Sequence, residues 1–261
     1  MKIAVVGSSG FVGKHLVSAL ETNHKVLKLD KNNFDLLQLS KEDKTLEDVE
    51  VVVNLAGCFY PPFKDQVEVN VVALQRLLEN CVSQHVRKLI HLSTAAAENS
   101  DNTYGLSKKF GEEVINFHIR NNGLKAFVLR PPNVYGPGSD HGVVYHFYKN
   151  IKEKNQVTIY GDGKQTRDFL YVSDLVSAIE SATINDVKFK ILEIGLGKAY
   201  TLLDLVSAFE QVLGTKIEID FQKSEANVAK SVVSDPTAAK KILGWSAKIN
   251  LEEGIAKLVK V

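Results

Sequence analysis

The sequence predicts a doubly wound α/β fold, a parallel sheet with helices on both faces, with a smaller α/β lobe in its second half. Three observations carry this. Short apolar runs alternate with segments of helical periodicity from the first residues onward. The run over 49–55 carries four valines among its seven residues and a single Glu, as suits a strand buried on both faces. Glycines spaced at three follow the first run directly. Alternating strands and helices imply parallel pairing through right-handed crossovers.

The elements follow in order. Residues 2–6 form a strand that ends at Gly7, and Val12, Leu16, Ala19 and Leu20 recur at helical spacing. Residues 25–30 alternate as a strand, 49–55 form the buried strand, and 67–82 a long helix. Residues 88–92 and 126–129 are further strands, flanking a helix over 106–119. Arg130-Pro131-Pro132 is a break. Beyond it, helices are expected over 143–153, 174–182, 202–213 and 236–243, the last with proline near its first turn. A turn falls at Gly161-Asp162-Gly163. No repeat or Pro/Gly/Ser-rich linker separates the halves. Residues 1–130, with part of 131–200 returning to the sheet, are expected to bind a dinucleotide. Residues from roughly 131–175 and 200–261 are expected to form the substrate-binding lobe.

At roughly 150 residues per domain, 261 residues suggest one or two domains. A core of that size needs no disulfide or metal staple. Hydrophobic residues at 44% and charged residues at 24% exclude a disordered, collagen-like or disulfide-scaffold chain. A net charge of +1 gives no electrostatic footprint for nucleic acid or an anionic membrane. No apolar run approaches the ~18 residues of a membrane span. The apolar N-terminus breaks at Gly7 and reads as a strand, not a secretion signal. Cys58 and Cys81 match no metal or redox spacing, and no metal site is expected. His141 and His146 read as solvated or substrate-loop residues. A reducing cytoplasm is the expected compartment.

Gly7-Ser8-Ser9-Gly10-Phe11-Val12-Gly13 follows a strand and opens a helix. Glycine permits the tight turn and lets backbone N–H groups approach a pyrophosphate, which the helix N-terminus attracts. Such a loop, so placed, points to a Rossmann-type dinucleotide site. Asp30 ends the second strand 17 residues after Gly13, where a carboxylate holds the adenosine ribose hydroxyls. It would repel a 2′-phosphate, so NAD is expected over NADP, although Lys28 and Lys31 flank it. Asn54-Leu55-Ala56-Gly57 follows the third strand, and its small residues let the chain pass close to a flat cofactor.

The stretch from Ser93 to Lys108 carries the chemistry. Tyr104 and Lys108, four apart at a helix start, share one face. A phenol titrates near 10, so a base at neutral pH needs about 4 kcal/mol of differential stabilisation. A neighbouring ammonium and a positively charged nicotinamide would supply it. Thr94, at a carboxyl strand end, would hydrogen-bond the same substrate oxygen.

On these residues the sequence resembles the extended short-chain dehydrogenase/reductases, and within them the NAD-dependent epimerase/dehydratase family of nucleotide-sugar enzymes. The resemblance covers nearly the whole chain. It implies a catalytic set of Thr94, Tyr104 and Lys108. The glycine motif of Gly7, Gly10 and Gly13 with Phe11 and Val12, the acid Asp30, and the Asp35-Leu36 adenine contact bind the cofactor in that reading. So do Leu55, Ala56, Gly57, Asn70, Ser93 and Pro131, beside Tyr104 and Lys108. The segment 130–137 looks like the one bordering nicotinamide and substrate, and 160–174 looks specific to nucleotide-sugar members. The resemblance makes Thr94, Asn133, Gln165 and Arg167 substrate-binding, with Arg167 on the nucleotide diphosphate. A guanidinium suits that task because it grips phosphate oxygens bidentately. Ile194-Gly195-Leu196-Gly197, Thr201 and Leu243-Gly244-Trp245 match later landmarks that are mainly structural. The helices near 67–82 and 104–119 imply a homodimer, as in family members.

Three departures narrow the activity. Thr94 and Tyr104 are only 10 residues apart, where most members carry a longer loop over the sugar. Ala95 and Ala96 stand where dehydratases of the family place Asp-Glu and decarboxylases a glutamate. Alanine supplies no general acid or base, so neither reaction is expected. No arginine lies in 224–228, although Lys223 and Lys230 are near, which leaves diphosphate recognition to Arg167. The leading expectation is therefore NAD-dependent C4 epimerisation of a nucleotide sugar through a 4-keto intermediate. The alternative is an NAD(P)H-dependent 4-keto-sugar nucleotide reductase. A third is a non-catalytic dinucleotide-binding regulator.

Overall fold

The computed structural model describes residues 1–100, 102–223 and 231–260. Its main sheet has six strands, β1 (Lys2–Val6), β2 (Lys25–Leu29), β3 (Val51–Asn54), β4 (Lys88–Leu92), β5 (Lys125–Arg130) and β10 (Phe189–Glu193). All pair in parallel, in the order β10-β5-β4-β3-β1-β2. The chain leaves β1 toward β2 on one side and returns at β3 on the other, so strand order reverses between β1 and β3. Ligands of open α/β sheets bind at such a point, outside the carboxyl strand ends.

Alternation along the strands builds a core on each face. Ile3, Val5, Val51 and Val53 face helices α1 (Phe11–Leu20) and α6 (Val172–Ile184), through Leu16, Leu175 and Ile179. Ala4, Val6 and Val52 face α3 (Leu74–Ser83) and α4 (Thr103–Asn122), through Leu77, Leu78 and Ile115. The expected 67–82 helix starts earlier, as α2 (Phe63–Val67), and passes through a π turn over Glu68–Ala73 before α3. The helix expected over 106–119 is longer at both ends, capped by Asn102 and stopped by Gly123 at φ 72.

The second half brings strands that periodicity did not reveal. β6 (Asn133–Tyr135) pairs with β9 (Phe169–Tyr171), and β7 (Gln156–Tyr160) with β12 (Glu218–Gln222). β8 (Thr166–Arg167) lies between β11 (Tyr200–Thr201) and β13 (Ser231–Val232). Helices α5 (Gly142–Lys154), α7 (Leu202–Leu213), α8 (Thr237–Leu243) and an unanticipated α9 (Leu251–Val259) complete it. Phe147, Ile159, Phe169, Leu205, Phe209 and Ile255 form its own core. Two buried carboxylates organise its loops. Asp168 accepts from the Leu196 and Gly197 N–H groups at 3.2 and 3.0 Å. Asp174 accepts from Lys248 and Ile249 at 3.0 and 2.9 Å, and Trp245 Nε1 donates to its carbonyl at 3.1 Å. No helix among the described residues is long and apolar enough to cross a membrane.

Candidate active site

A cleft of about 1070 Å³ runs along the carboxyl ends of β1, β3 and β4. At one end the loop after β1 turns tightly, with Gly7 N and Ser8 N both donating to the Leu29 carbonyl at 2.8 and 3.1 Å. A Cβ on Gly13 would run into the Gly7 carbonyl oxygen and lie 2.8 Å from the Ser8 carbonyl carbon. The glycine is therefore a steric requirement of the turn. No side chain caps the start of α1 at Gly10, so its first N–H groups stay with the cleft. These are the features of a pyrophosphate cradle, and they fit a dinucleotide.

Asp30 lines the cleft, and its Oδ1 accepts from Asn32 N at 2.8 Å. Lys28 is committed elsewhere, to Glu21 at 2.7 Å, while Lys31 shares the cleft wall. Asp35 caps its own turn through Leu37 N at 3.0 Å, and Leu36 is buried in the core beneath the wall. Phe11, Val12, Leu55, Ala56, Gly57, Ser93 and Pro131 line the cleft as well.

Thr94, Tyr104 and Lys108 all line this cleft. The short connection between Thr94 and α4 is tight. Thr94 Oγ1 accepts from Ala96 N at 3.3 Å, and Ala95–Ala97 forms one 3-10 turn. Gly105 permits this, since a Cβ there would lie 2.9 Å from the Ala96 carbonyl carbon. Asn102 Oδ1 accepts from Gly105 N at 2.8 Å and sets the first turn that carries Tyr104. Asp101 lies outside the described residues.

A buried network fixes strand β4 against α4. Ser93 Oγ donates to Glu112 Oε1 at 2.6 Å, and Arg130 grips both carboxylate oxygens at 2.9 and 2.6 Å. Glu112 sits one turn past Lys108, so the network ties the Thr94 strand end to the Tyr104–Lys108 helix. Breaking one partner of such a pair costs about 3–5 kcal/mol.

Lys108 has a neighbour that sequence reasoning missed. His91, fully buried in β4, places Nε2 3.4 Å from Lys108 Nζ. Asn54 Oδ1 accepts from Ala56 N at 3.1 Å, which turns its Nδ2 to His91 Nδ1 at 3.1 Å. This pattern assigns the ring proton to Nε2, so the imidazole offers the ammonium no acceptor. Burial first, then the Lys108 charge, holds His91 neutral, well below its ordinary range. Burial pulls Lys108 down to about 8, against the Glu112 carboxylate. The only sequence signal for His91 was a polar residue inside a buried strand.

The Tyr104 phenol departs from expectation. Burial, and then Cys58, pushes it up to about 12. The protein's own groups keep it protonated, and Lys108 alone does not lower it. Cys58 is half-buried in the cleft wall, and its thiol donates to the Tyr60 carbonyl at 3.4 Å.

Asn70 and Gln165 are the two expected site residues outside the cleft lining. Asn70, in the π turn, brackets Cys58 from behind, accepting from its N and donating to its carbonyl, both at 2.9 Å. Its Nδ2 also donates to Ser107 Oγ at 2.9 Å. Gln165 donates to the Tyr160 carbonyl at 3.0 Å. Asn133 and Arg167 line the cleft from the second half of the chain, where Asn133 Nδ2 donates to the Asp168 carbonyl at 3.1 Å. Residues 224–228 and Lys230 lie outside the described residues, and Lys223 is exposed. His141 joins Asp140 at 2.7 Å on the cleft rim, and the described residues contain no metal-binding cluster.

A glycine cradle at a sheet switch point, an acid at the end of β2 and a Tyr–Lys pair beside it define a dinucleotide-dependent enzyme of the Rossmann type. Comparison with known proteins gives the family. The NAD dependent epimerase/dehydratase family model matches residues 3–195, and the chain belongs to that family. A Mycolicibacterium smegmatis UDP-glucose 4-epimerase is 28% identical over 99% of this chain and 97% of its own length. The UDP-glucuronic acid 4-epimerase of Bacillus cereus, solved with UDP-glucuronic acid and NAD, is 26% identical with a TM-score of 0.91. It is matched over 100% of this chain and 98% of its own. The Thermotoga maritima UDP-glucose 4-epimerase, solved with UDP-glucose, is 28% identical with a TM-score of 0.90, over 100% and 98%.

Proposed function

We propose that the protein is an NAD-dependent nucleotide-sugar 4-epimerase working through a transient 4-keto sugar. The observation that carries this is the convergence of Thr94, Tyr104 and Lys108 in one cleft with the glycine cradle and Asp30. The 4-epimerases among its relatives support it, and the reductase alternative is not favoured.

NAD, held by the glycine loop and Asp30, would supply reversible hydride acceptance at C4 of the sugar, with return of the hydride to the opposite face of the ketone. Tyr104 takes the proton of the C4 hydroxyl and later gives it back. Thr94 Oγ1 steadies that oxygen. Lys108 would hold the nicotinamide ribose hydroxyls and, one turn from Tyr104 on the same helix, would favour the ionised phenol. Since the protein alone sets the phenol near 12, the positive nicotinamide must supply part of the fall to a working value. Asp30 binds the adenosine ribose and selects NAD, and Lys28, paired with Glu21, does not oppose it. Gly7, Gly10 and Gly13 receive the pyrophosphate. Arg167 faces the nucleotide diphosphate at the sugar-side end.

In this reading residues 1–130 with β10 carry the cofactor, and roughly 131–175 and 200–261 carry the sugar nucleotide. The exposed Val72, Phe110 and Phe117, at 43, 44 and 61%, fit burial of the 67–82 and 104–119 helices in a homodimer. Free Cys58 and Cys81 fit a reducing cytoplasm.

The test is Tyr104→Phe assayed on UDP-hexoses, with bound NAD quantified after denaturation. Turnover is expected to fall by about 10²–10⁴, the usual contribution of a general acid–base, with NAD content unchanged. Turnover equal to the parent would sink the mechanism.

A further inference from the structure

The cleft has one wall that neither the glycine motif nor the Tyr–Lys pair accounts for. The loop between β3 and α2 puts Phe59 at its mouth, with 53% of the side chain's residue surface exposed. An exposed phenylalanine on a loop is ordinarily free to move, but this one is held from behind. Asn70 brackets Cys58 on both its N–H and its carbonyl, each at 2.9 Å. Gln66, itself 2% exposed, donates to the Phe59 carbonyl at 2.9 Å. The backbone on either side of the ring is thus pinned by buried amides.

The ring so fixed has three aromatic neighbours. Tyr104 lies edge-on at 4.9 Å between centroids, Tyr60 at 5.6 Å, and His141 at 6.0 Å with the planes 31° apart. Phe59 comes from the loop after β3 and His141 from the start of α5, so the two rings reach the cleft from different halves of the chain. The two rings close one flank of the space beside the phenol. The short connection between Thr94 and Tyr104, a single 3-10 turn, leaves that flank to another element.

We propose that Phe59 is a specificity-determining residue: its fixed ring walls the sugar pocket beside Tyr104 and favours an uncharged pyranose over a uronate. The proposal rests on the 4-epimerase reading above. A pyranose presents C–H groups that pack on an aromatic ring, where pockets gain most of their contact energy. A carboxylate against the same wall meets the negative ring face and loses hydration without a partner. Asp140, on the rim beside His141, adds like charge.

The experiment compares wild type, Phe59→Ala and Phe59→Leu on UDP-glucose and UDP-glucuronate, by turnover and by calorimetric titration of the NAD-loaded enzyme. Wild type is expected to favour UDP-glucose at least 10-fold in kcat/KM. Phe59→Ala is expected to raise its KM about 10-fold and shrink the preference to a few-fold. Leucine, apolar but without a π face, is expected to keep the KM better than alanine while still losing selectivity. Bound NAD and Tm report that the variants are folded. A wild type that prefers the uronate, or an alanine variant with unchanged selectivity, overturns this proposal and leaves the 4-epimerase reading standing. If neither sugar nucleotide binds, this proposal is overturned, while the 4-epimerase reading is decided separately by Tyr104→Phe; titration gives the preference even for a protein that turns over neither.

Discussion

The two ends of the cleft are built by different means. The cofactor end rests on regular elements whose geometry is dictated by sterics: strands β1 to β5 stop in line, and Gly13 lets the turn after β1 close on itself. The end proposed to hold the sugar nucleotide rests on short two- and three-residue strands and irregular backbone. Single buried carboxylates hold it: Asp168 collects the 195–197 turn, and Asp174 the 245–249 segment. Where periodicity makes the site, the loss of one contact is shared by a ladder of others. Where one side chain gathers several orphan N–H groups, its loss is concentrated.

The sharpest break of this comparison is Gly13→Val. The added Cβ collides with backbone, not with a movable side chain, so the turn must open. NAD affinity is expected to fall at least ~100-fold, about 3 kcal/mol. Fluorescence titration of NAD into apo-enzyme checks it, and near-parental affinity would mean that the turn is softer than its contacts imply.

Asp168→Ala probes the other end. It strips acceptors from the part-buried N–H groups of Leu196 and Gly197, each costing at most about 1–3 kcal/mol when left unsatisfied and less where water reaches it. A Tm lowered by several degrees, with KM for the sugar nucleotide raised and NAD affinity retained, is the expected pattern. Equal loss of NAD binding would erase the distinction between the two ends.

The smallest effect is electrostatic. Burial sets Lys108 near 8, below its ordinary value, so the free enzyme loses this charge as pH rises through that region. Charged donors bind hydroxyl and phosphate oxygens more strongly than neutral ones. NAD affinity is therefore expected to weaken a few-fold between pH 7 and 9, and titrations at several pH values read it. A flat profile in that window would show that the ammonium contributes only position.

Legibility in the sequence followed the same division. Gly7, Gly10 and Gly13, Asp30, and the Tyr104–Lys108 pair could be read because turn sterics and helical spacing act over a few residues. The valines of β3 announced a doubly covered strand. What stayed hidden depends on distant partners. Nothing near His91 in the chain signals that it would face Lys108 and Asn54 from across two elements. Asn70 is expected beside the cofactor, and its bonds to Cys58 and Ser107 join two elements that local spacing cannot relate. The phenol was expected to be lowered by Lys108, but burial, which spacing cannot express, acts the other way. Strands such as β8 and β11 are too short to show any period at all.

Strand β10 has a consequence for how this architecture can be re-engineered. The chain leaves the sheet after β5, builds part of the sugar side, returns to pair residue by residue with β5, and leaves again. The sugar side is therefore not a cassette appended to one end but an insertion plus a tail. Transplanting the specificity of a relative would require two grafts, one on either side of residues 189–193, whose cut points meet at the same sheet edge. A graft of the tail alone would inherit α7 and α9 without the α5 and β9 surfaces they pack on, and would be expected to fail as a folding unit before it failed as an enzyme.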